Sequence, residues 1–124
     1  MSNPQKVNWK GRSGATYSYS AFPIGPNFKS FAGNYIFAKH VSSGIHPIYI
    51  GQSEDVPDRL RNHEKKVCAS HNGATHIHVK QTPGGEAQRL AEETDLRANY
   101  STPCIDNKER DSERCVPWGG KEDL

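Results

Sequence analysis

The chain has 124 residues, of which 33% are hydrophobic and 24% charged, with a net charge of +2. That is enough for one domain around a modest core, and the charge is too small to announce nucleic-acid binding by itself. No apolar run approaches the roughly 20 residues of a membrane span, and residues 1–6 form no apolar signal segment, so a soluble cytoplasmic protein with no membrane partner is expected.

Residues 1–32 are rich in Gly, Ser, Pro and aromatics. Gly11 and Gly14 mark a turn, and the alternation at Tyr17 and Tyr19 predicts a strand after it. Residues 22–28, with two prolines and a glycine, predict a loop. Residues 33–39 read as a strand with Asn34 and Ile36 on one face and Tyr35 and Phe37 on the other. Residues 48–50 read as its returning partner. With Ile36, Ile48 and Ile50 toward the core, Tyr35 and Tyr49 share the opposite face.

A helix is predicted to start at Asp55, an N-cap residue, with Pro57 in its first turn. On it, Val56 and Leu60 form one i, i+4 pair, and Arg59 and His63 form another. Residues 68–73 read as a loop. Residues 74–79 read as a third strand, with Ile77 and Val79 on one face and His76 and His78 on the other. Residues 82–85 break the chain. From Glu86 to about Tyr100 runs the longer helix, with Ala87, Leu90, Ala91 and Leu96 as its expected buried stripe. Pro103 stops it, and residues 108–124 read as a loosely held tail. Cys68, Cys104 and Cys115 are odd in number and irregularly spaced, which reads as reduced thiols and not as a secreted disulfide framework.

Charge adds a weak hint. Residues 1–66 carry nine Lys/Arg against four Asp/Glu, and residues 67–124 carry seven against ten. A basic first half is compatible with a phosphate-facing surface.

Gly33-Asn34-Tyr35, Tyr49-Ile50-Gly51, Arg59 ten positions beyond the second tyrosine, His63 four later, and Glu93 three before Leu96 together resemble the GIY-YIG nuclease family. Pro103 and Asn107 are the counterparts of the motif's closing Pro and Asn. The resemblance covers residues 33–107. It departs at Asn34, where the family usually has an apolar residue, and at Asn107, a residue or two farther from the glutamate than usual. The implied fold is an α+β, β-β-α-β-α domain with a three-stranded antiparallel sheet flanked by helices. Residues 1–32 would be a β/loop extension and 108–124 a tail.

The resemblance implies a divalent-metal-dependent endonuclease acting on DNA, branched or nicked forms included, with a protein partner as one source of specificity. Breaking a phosphodiester needs an activated water, charge stabilisation at phosphorus and help for the leaving alkoxide. Glu93 would hold one Mg²⁺ or Mn²⁺, since Mg²⁺ commonly takes one or two carboxylates plus water and phosphate. Arg59 would clamp phosphate oxygens with its planar fork of donors. Tyr35 would act as general base or proton relay, its phenolate favoured by Arg59 and the cation. Tyr49 would hold the water or Tyr35, and His63 would share proton transfer. Gly51, Gln52, Arg61 and Asn107 would contact substrate. Glu92 is expected to point away, and Arg89 is a competing i, i+4 partner for Glu93.

Other readings are a non-catalytic nucleic-acid-binding module and a histidine-rich metal-binding protein. For the last, His63, Cys68, His71, His76 and His78 fit no compact zinc spacing. In residues 1–32, Trp9, Lys10, Arg12, Tyr17 and Tyr19 either stack on bases or form an extra strand covering the sheet edge.

Overall fold

A computed structural model describes residues 4–25, 27–62 and 64–104. In chain order these form β1 (Gln5–Lys10), β2 (Thr16–Pro23), β3 (Gly33–Val41), β4 (Gly44–Ser53), α1 (Val56–Arg61), α2 (Lys66–His71), β5 (His76–Gln81) and α3 (Glu86–Asn99). All strands join one antiparallel five-stranded sheet in the order β1-β2-β5-β3-β4, curled into a half-barrel.

This corrects the expected fold class. The three-stranded sheet flanked by helices is instead a larger, mostly β sheet, because the hairpin of β1 and β2 pairs with β5. The physical reason lies in inward-facing side chains of that hairpin. Trp9, Tyr19 and Ala21 are buried, and only as an extension of the sheet can they join the core that Ile36 and Ile50 begin. Trp9 and Tyr19 are therefore core residues and not exposed base-stacking platforms.

Cross-strand rows show how both faces are used. Ala21, His78, Ile36 and Ile50 are successive register partners across four strands, so their side chains share one face. Phe22, Ile77, Phe37 and Tyr49 form the neighbouring row, on the other face. The first face packs under α3 through Leu96. The second packs with Val56, the α2 residue Ala69, and Cys104. Tyr35 and Tyr49 thus face a second buried layer, each about as buried as the isoleucines behind them.

The register slips between Phe37 and Ala38, leaving Ile48 as the extra residue. This bulge corrects the expected placement of Ile48. It packs with Tyr35 and Tyr49, not with Ile36 and Ile50, because one extra residue inverts the alternation. The Ile48 carbonyl accepts a hydrogen bond from the Cys104 backbone N–H (3.1 Å).

Helix positions differ from expectation in three ways. Asp55 does cap α1, its carboxylate accepting from the Asp58 N–H, but α1 ends at Arg61. Residues 68–73 are not a loop, since α2 covers most of them. There Cys68 forms a disulfide with Cys104, so these two are not free thiols. On α3 the buried residues are Arg89, Glu92 and Leu96, whereas Ala87, Leu90 and Ala91 are exposed. The helix is rotated because polar anchoring outweighs weak apolar burial. Asn34 donates to the Arg89 carbonyl (3.0 Å) and accepts from Thr82 Oγ1 (2.8 Å). Glu92 accepts from the Tyr19 hydroxyl (2.8 Å) and pairs with Lys80 (3.0 Å). Asn34, the departure from the family pattern, is thus a buried strut between β3 and α3.

His78 is buried in the same face. The Trp9 indole N–H, which can only donate, reaches its Nδ1 at 3.0 Å. Neutral His78 therefore carries its proton on Nε2 and donates it to His40 Nε2 at 2.9 Å. His40 stacks on His76 at 3.6 Å. Burial, then the charges of His40 and His76, push the His78 pKa down from 6.5 to about 4. Its folded-state pKa lies below its unfolded one, so the unfolded chain takes up the proton first. The stability this confers is full above about pH 6.5 and is lost as pH falls toward about 4, by up to about 1.4 kcal/mol per pH unit. Urea midpoints should fall measurably between pH 6.5 and 5, above the carboxylate range. A flat profile there would rule out a neutral buried His78.

Candidate active site

β4 is one of the two edge strands of the sheet, and an unpaired strand edge needs covering. Arg97 of α3 does this. Its Nε and one terminal nitrogen donate to the Ile50 carbonyl at 3.0 and 2.6 Å. The same guanidinium donates to the Tyr49 hydroxyl (3.3 Å), lies over the Tyr49 ring and pairs with Glu93 Oε2 (3.4 Å). Sequence reasoning passed over Arg97. Its i, i+4 spacing from Glu93 was the available signal. The expected partner, Arg89, goes elsewhere and donates to Gln52 Oε1 at 2.9 Å.

On the adjoining strand, Tyr35 lies beside Tyr49, ring centroids 6.2 Å apart. Arg59, carried by the first turns of α1, hydrogen-bonds the Tyr35 hydroxyl, and Glu93 is near enough to act on the same phenol. Tyr35, Tyr49, Arg59 and Glu93 are thus brought together, with Arg97 as a fifth member. Glu92, expected to point away to solvent, is buried in the Tyr19–Lys80 network instead.

Gly51 is the register partner of Tyr35, and the Tyr35 ring lies across it. A Cβ there would stand 2.6 Å from Tyr35 Cζ and Oη and 2.9 Å from Tyr49 Cε2. This gives Tyr-Ile-Gly its physical meaning: the missing side chain is the space the phenol occupies. Gly51→Ala should cost about 1–3 kcal/mol, as overpacking does in a close-packed core, and should move Tyr35 off Arg59. Thermal denaturation reads the first effect and near-ultraviolet circular dichroism of the tyrosines the second. A variant unchanged in both would contradict this packing.

The electrostatics of the protein's own groups favour the neutral phenol. Without a cation, the Tyr35 pKa is raised: burial is the largest cause and Tyr49 adds to it, outweighing the Arg59 hydrogen bond and charge. Tyr35 is thus a protonated phenol whose oxygen accepts from Arg59. Arg59 keeps its charge firmly; burial opposes it, but the hydrogen bond and charge interaction with Tyr35 overcome that.

Among the described residues no group of three or more His, Cys, Asp or Glu could hold a metal. Cys68 is bonded to Cys104, and both His78 nitrogens are engaged within the protein, which does not suit a zinc site. At the site, the Glu93 carboxylate is paired with Arg97 and its side chain is 12% exposed, so a cation there would have to draw it from that ion pair. Gln52 is held by Arg89, while Arg61 is exposed and pairs loosely with Asp58 at 3.5 Å. His63 and Asn107, like Cys115 and the tail 108–124, lie outside the described residues. No helix among the described residues is long and apolar enough to cross a membrane.

No protein-family model, curated protein or solved structure matches the chain.

Proposed function

We propose that this chain hydrolyses phosphodiester bonds in DNA with the help of a divalent cation, using chemistry like that of the GIY-YIG nucleases. The observation that carries this reading is the meeting of two guanidiniums, two buried phenols and one carboxylate at the β4 edge. Such a set has donors for phosphate oxygens and a carboxylate for a cation.

In this reading each group has a role. Arg59 presents a planar, permanently charged fork to the scissile phosphate. Tyr35, protonated, orients the attacking water or a phosphoryl oxygen by donating its O–H, so no standing phenolate is required. Tyr49, fixed by Arg97, limits where that water can sit. Glu93 would hold Mg²⁺ or Mn²⁺, which when bound supplies positive charge at the phosphoryl oxygen and acidifies water. Substrate phosphate offers Arg97 an alternative partner, which would release Glu93 for the cation.

Plasmid nicking tests this directly. Supercoiled DNA should be nicked with Mg²⁺ or Mn²⁺ and spared in chelator. Absence of cleavage on supercoiled, branched and single-stranded DNA, with binding that persists in chelator and weakens with salt, would replace this reading with a non-catalytic DNA-binding module. The Glu93–Arg97 ion pair is the observation that favours that second reading.

A further inference from the structure

Between the chain leaving β2 and the outer side of α1 lies a cavity of about 250 Å³. Its walls are Phe28, Phe37, Leu60 and Ile77, and Asn27, Arg61 and Lys66 also line it. We propose that this cavity receives one unstacked nucleotide of the DNA strand whose linkage lies at the β4 edge. The proposal rests on the functional reading above and names the part of the substrate that reading leaves open.

Three observations support it. Size comes first: the volume suits one small planar ligand, below the usual range for drug-sized pockets of about 300–1,000 Å³. Chemistry comes second. Aromatic and aliphatic walls accept the faces of a base, and the Asn27 amide has both donors and an acceptor for a base edge. Arg61 is largely exposed, Lys66 Nζ is tied to the Arg61 backbone carbonyl at 3.2 Å, and both residues line the cavity, so each offers a cation to a phosphate entering with the base. Asp58 is the facing acid, and its 3.5 Å contact with Arg61 is between two exposed groups, a weak pairing that a phosphate can displace. Position comes third. Phe37 forms one wall, and its ring centroid is 6.2 Å from that of Tyr35. Arg59 and Arg61 lie on the same short helix, Arg59 meeting Tyr35 and Arg61 the cavity. The cavity and the Arg59–Tyr35 pair are therefore neighbours through Phe37 and through α1. Ile24, exposed at 51%, is a further lining residue and an apolar surface for the entering base.

The site therefore selects DNA whose bases are already unpaired, such as flaps, bulges or single-stranded junctions, because a paired base must first leave its stack. The test uses the full chain in chelator, so that cleavage plays no part. The probe is a branched duplex with 2-aminopurine in its unpaired arm, and a fully paired duplex of the same sequence is the comparison. Wild-type protein should bind the branched form at least about 10-fold more tightly, within the range one stacked base contributes, and should raise 2-aminopurine emission. Ile24→Trp, which fills the cavity from an exposed position, should abolish both effects. Phe28→Ala should reduce them. Arg61→Gln with Lys66→Gln should weaken binding of deoxyadenosine monophosphate but not of deoxyadenosine.

Equal affinity for the two DNAs, or an emission rise that survives Ile24→Trp, overturns the proposal. So does silence of both probes in the full chain, as when its own residues 105–124 or a second copy fill the cavity. Emission that behaves as expected without any cleavage in Mg²⁺ would sink the nuclease reading alone. Cleavage without preference for unpaired DNA would sink the nucleotide pocket alone.

Discussion

Glu93→Gln should lower the rate of plasmid nicking by about 10²–10³-fold, and Arg59→Ala by a similar factor, the loss typical of removing one preorganised electrostatic group. The two substitutions fail for different reasons. Glu93→Gln keeps the side chain's shape and removes its charge, so it tests the cation site; raising Mn²⁺ should recover part of the activity if the neutral amide still ligates weakly. Arg59→Ala removes the fork that holds Tyr35 and the phosphate, and added metal should not rescue it. Both should stay folded, because Arg59 is partly exposed and the Arg97 contacts to the Ile50 carbonyl persist without Glu93. Circular dichroism with thermal melting checks this. Folded variants that nick at wild-type rate would end the catalytic assignment.

Glu92→Ala should have the opposite profile. Its carboxylate is 4% exposed and engages both Tyr19 and Lys80. Removing one partner of a buried ion pair costs about 3–5 kcal/mol. The lower figure applies because the Lys80 side chain is 24% exposed and can regain some water. The Tyr19 hydroxyl, fully buried, loses the acceptor it has there. Urea unfolding should therefore show a loss of about 3 kcal/mol, with nicking retained by whatever fraction remains folded at low temperature. Two adjacent glutamates thus separate: one should lose activity, the other stability. If Glu92→Ala were as stable as wild type, the buried network would be misread.

Part of this was legible because it depends only on local periodicity. The strands carrying Tyr35 and Tyr49 follow from alternation, the α1 start from Asp55 and Pro57, and α3 from the stretch between Gly85 and Pro103. The tyrosine, arginine and glutamate set came from motif spacing, and the structure brings the four described members together. The β1–β2 hairpin was only half legible. Its strands are short and polar on one face, and their destination beside β5 depends on a pairing far away in sequence. α3 was misread for a related reason. Ala87, Leu90 and Ala91 look like a buried stripe by periodicity, but contacts with Asn34, Tyr19 and Lys80 rotate the helix. Helical periodicity does not reveal which polar residues will find buried partners.

By itself the sequence determined the identities and order of the groups that meet at the β4 edge, because hydrogen-bonding capacity and charge belong to the residue types. Only the tertiary structure decided how those groups behave. Whether Tyr35 ionises depends on how much water its surroundings exclude, and burial there outweighs Arg59. Which glutamate faces the phenols depends on the rotation of α3. Why position 51 lacks a side chain is evident only once the Tyr35 ring from the neighbouring strand is seen lying across it. Solvation, rotation and cross-strand contact are set by the whole sheet, and no window of sequence contains them.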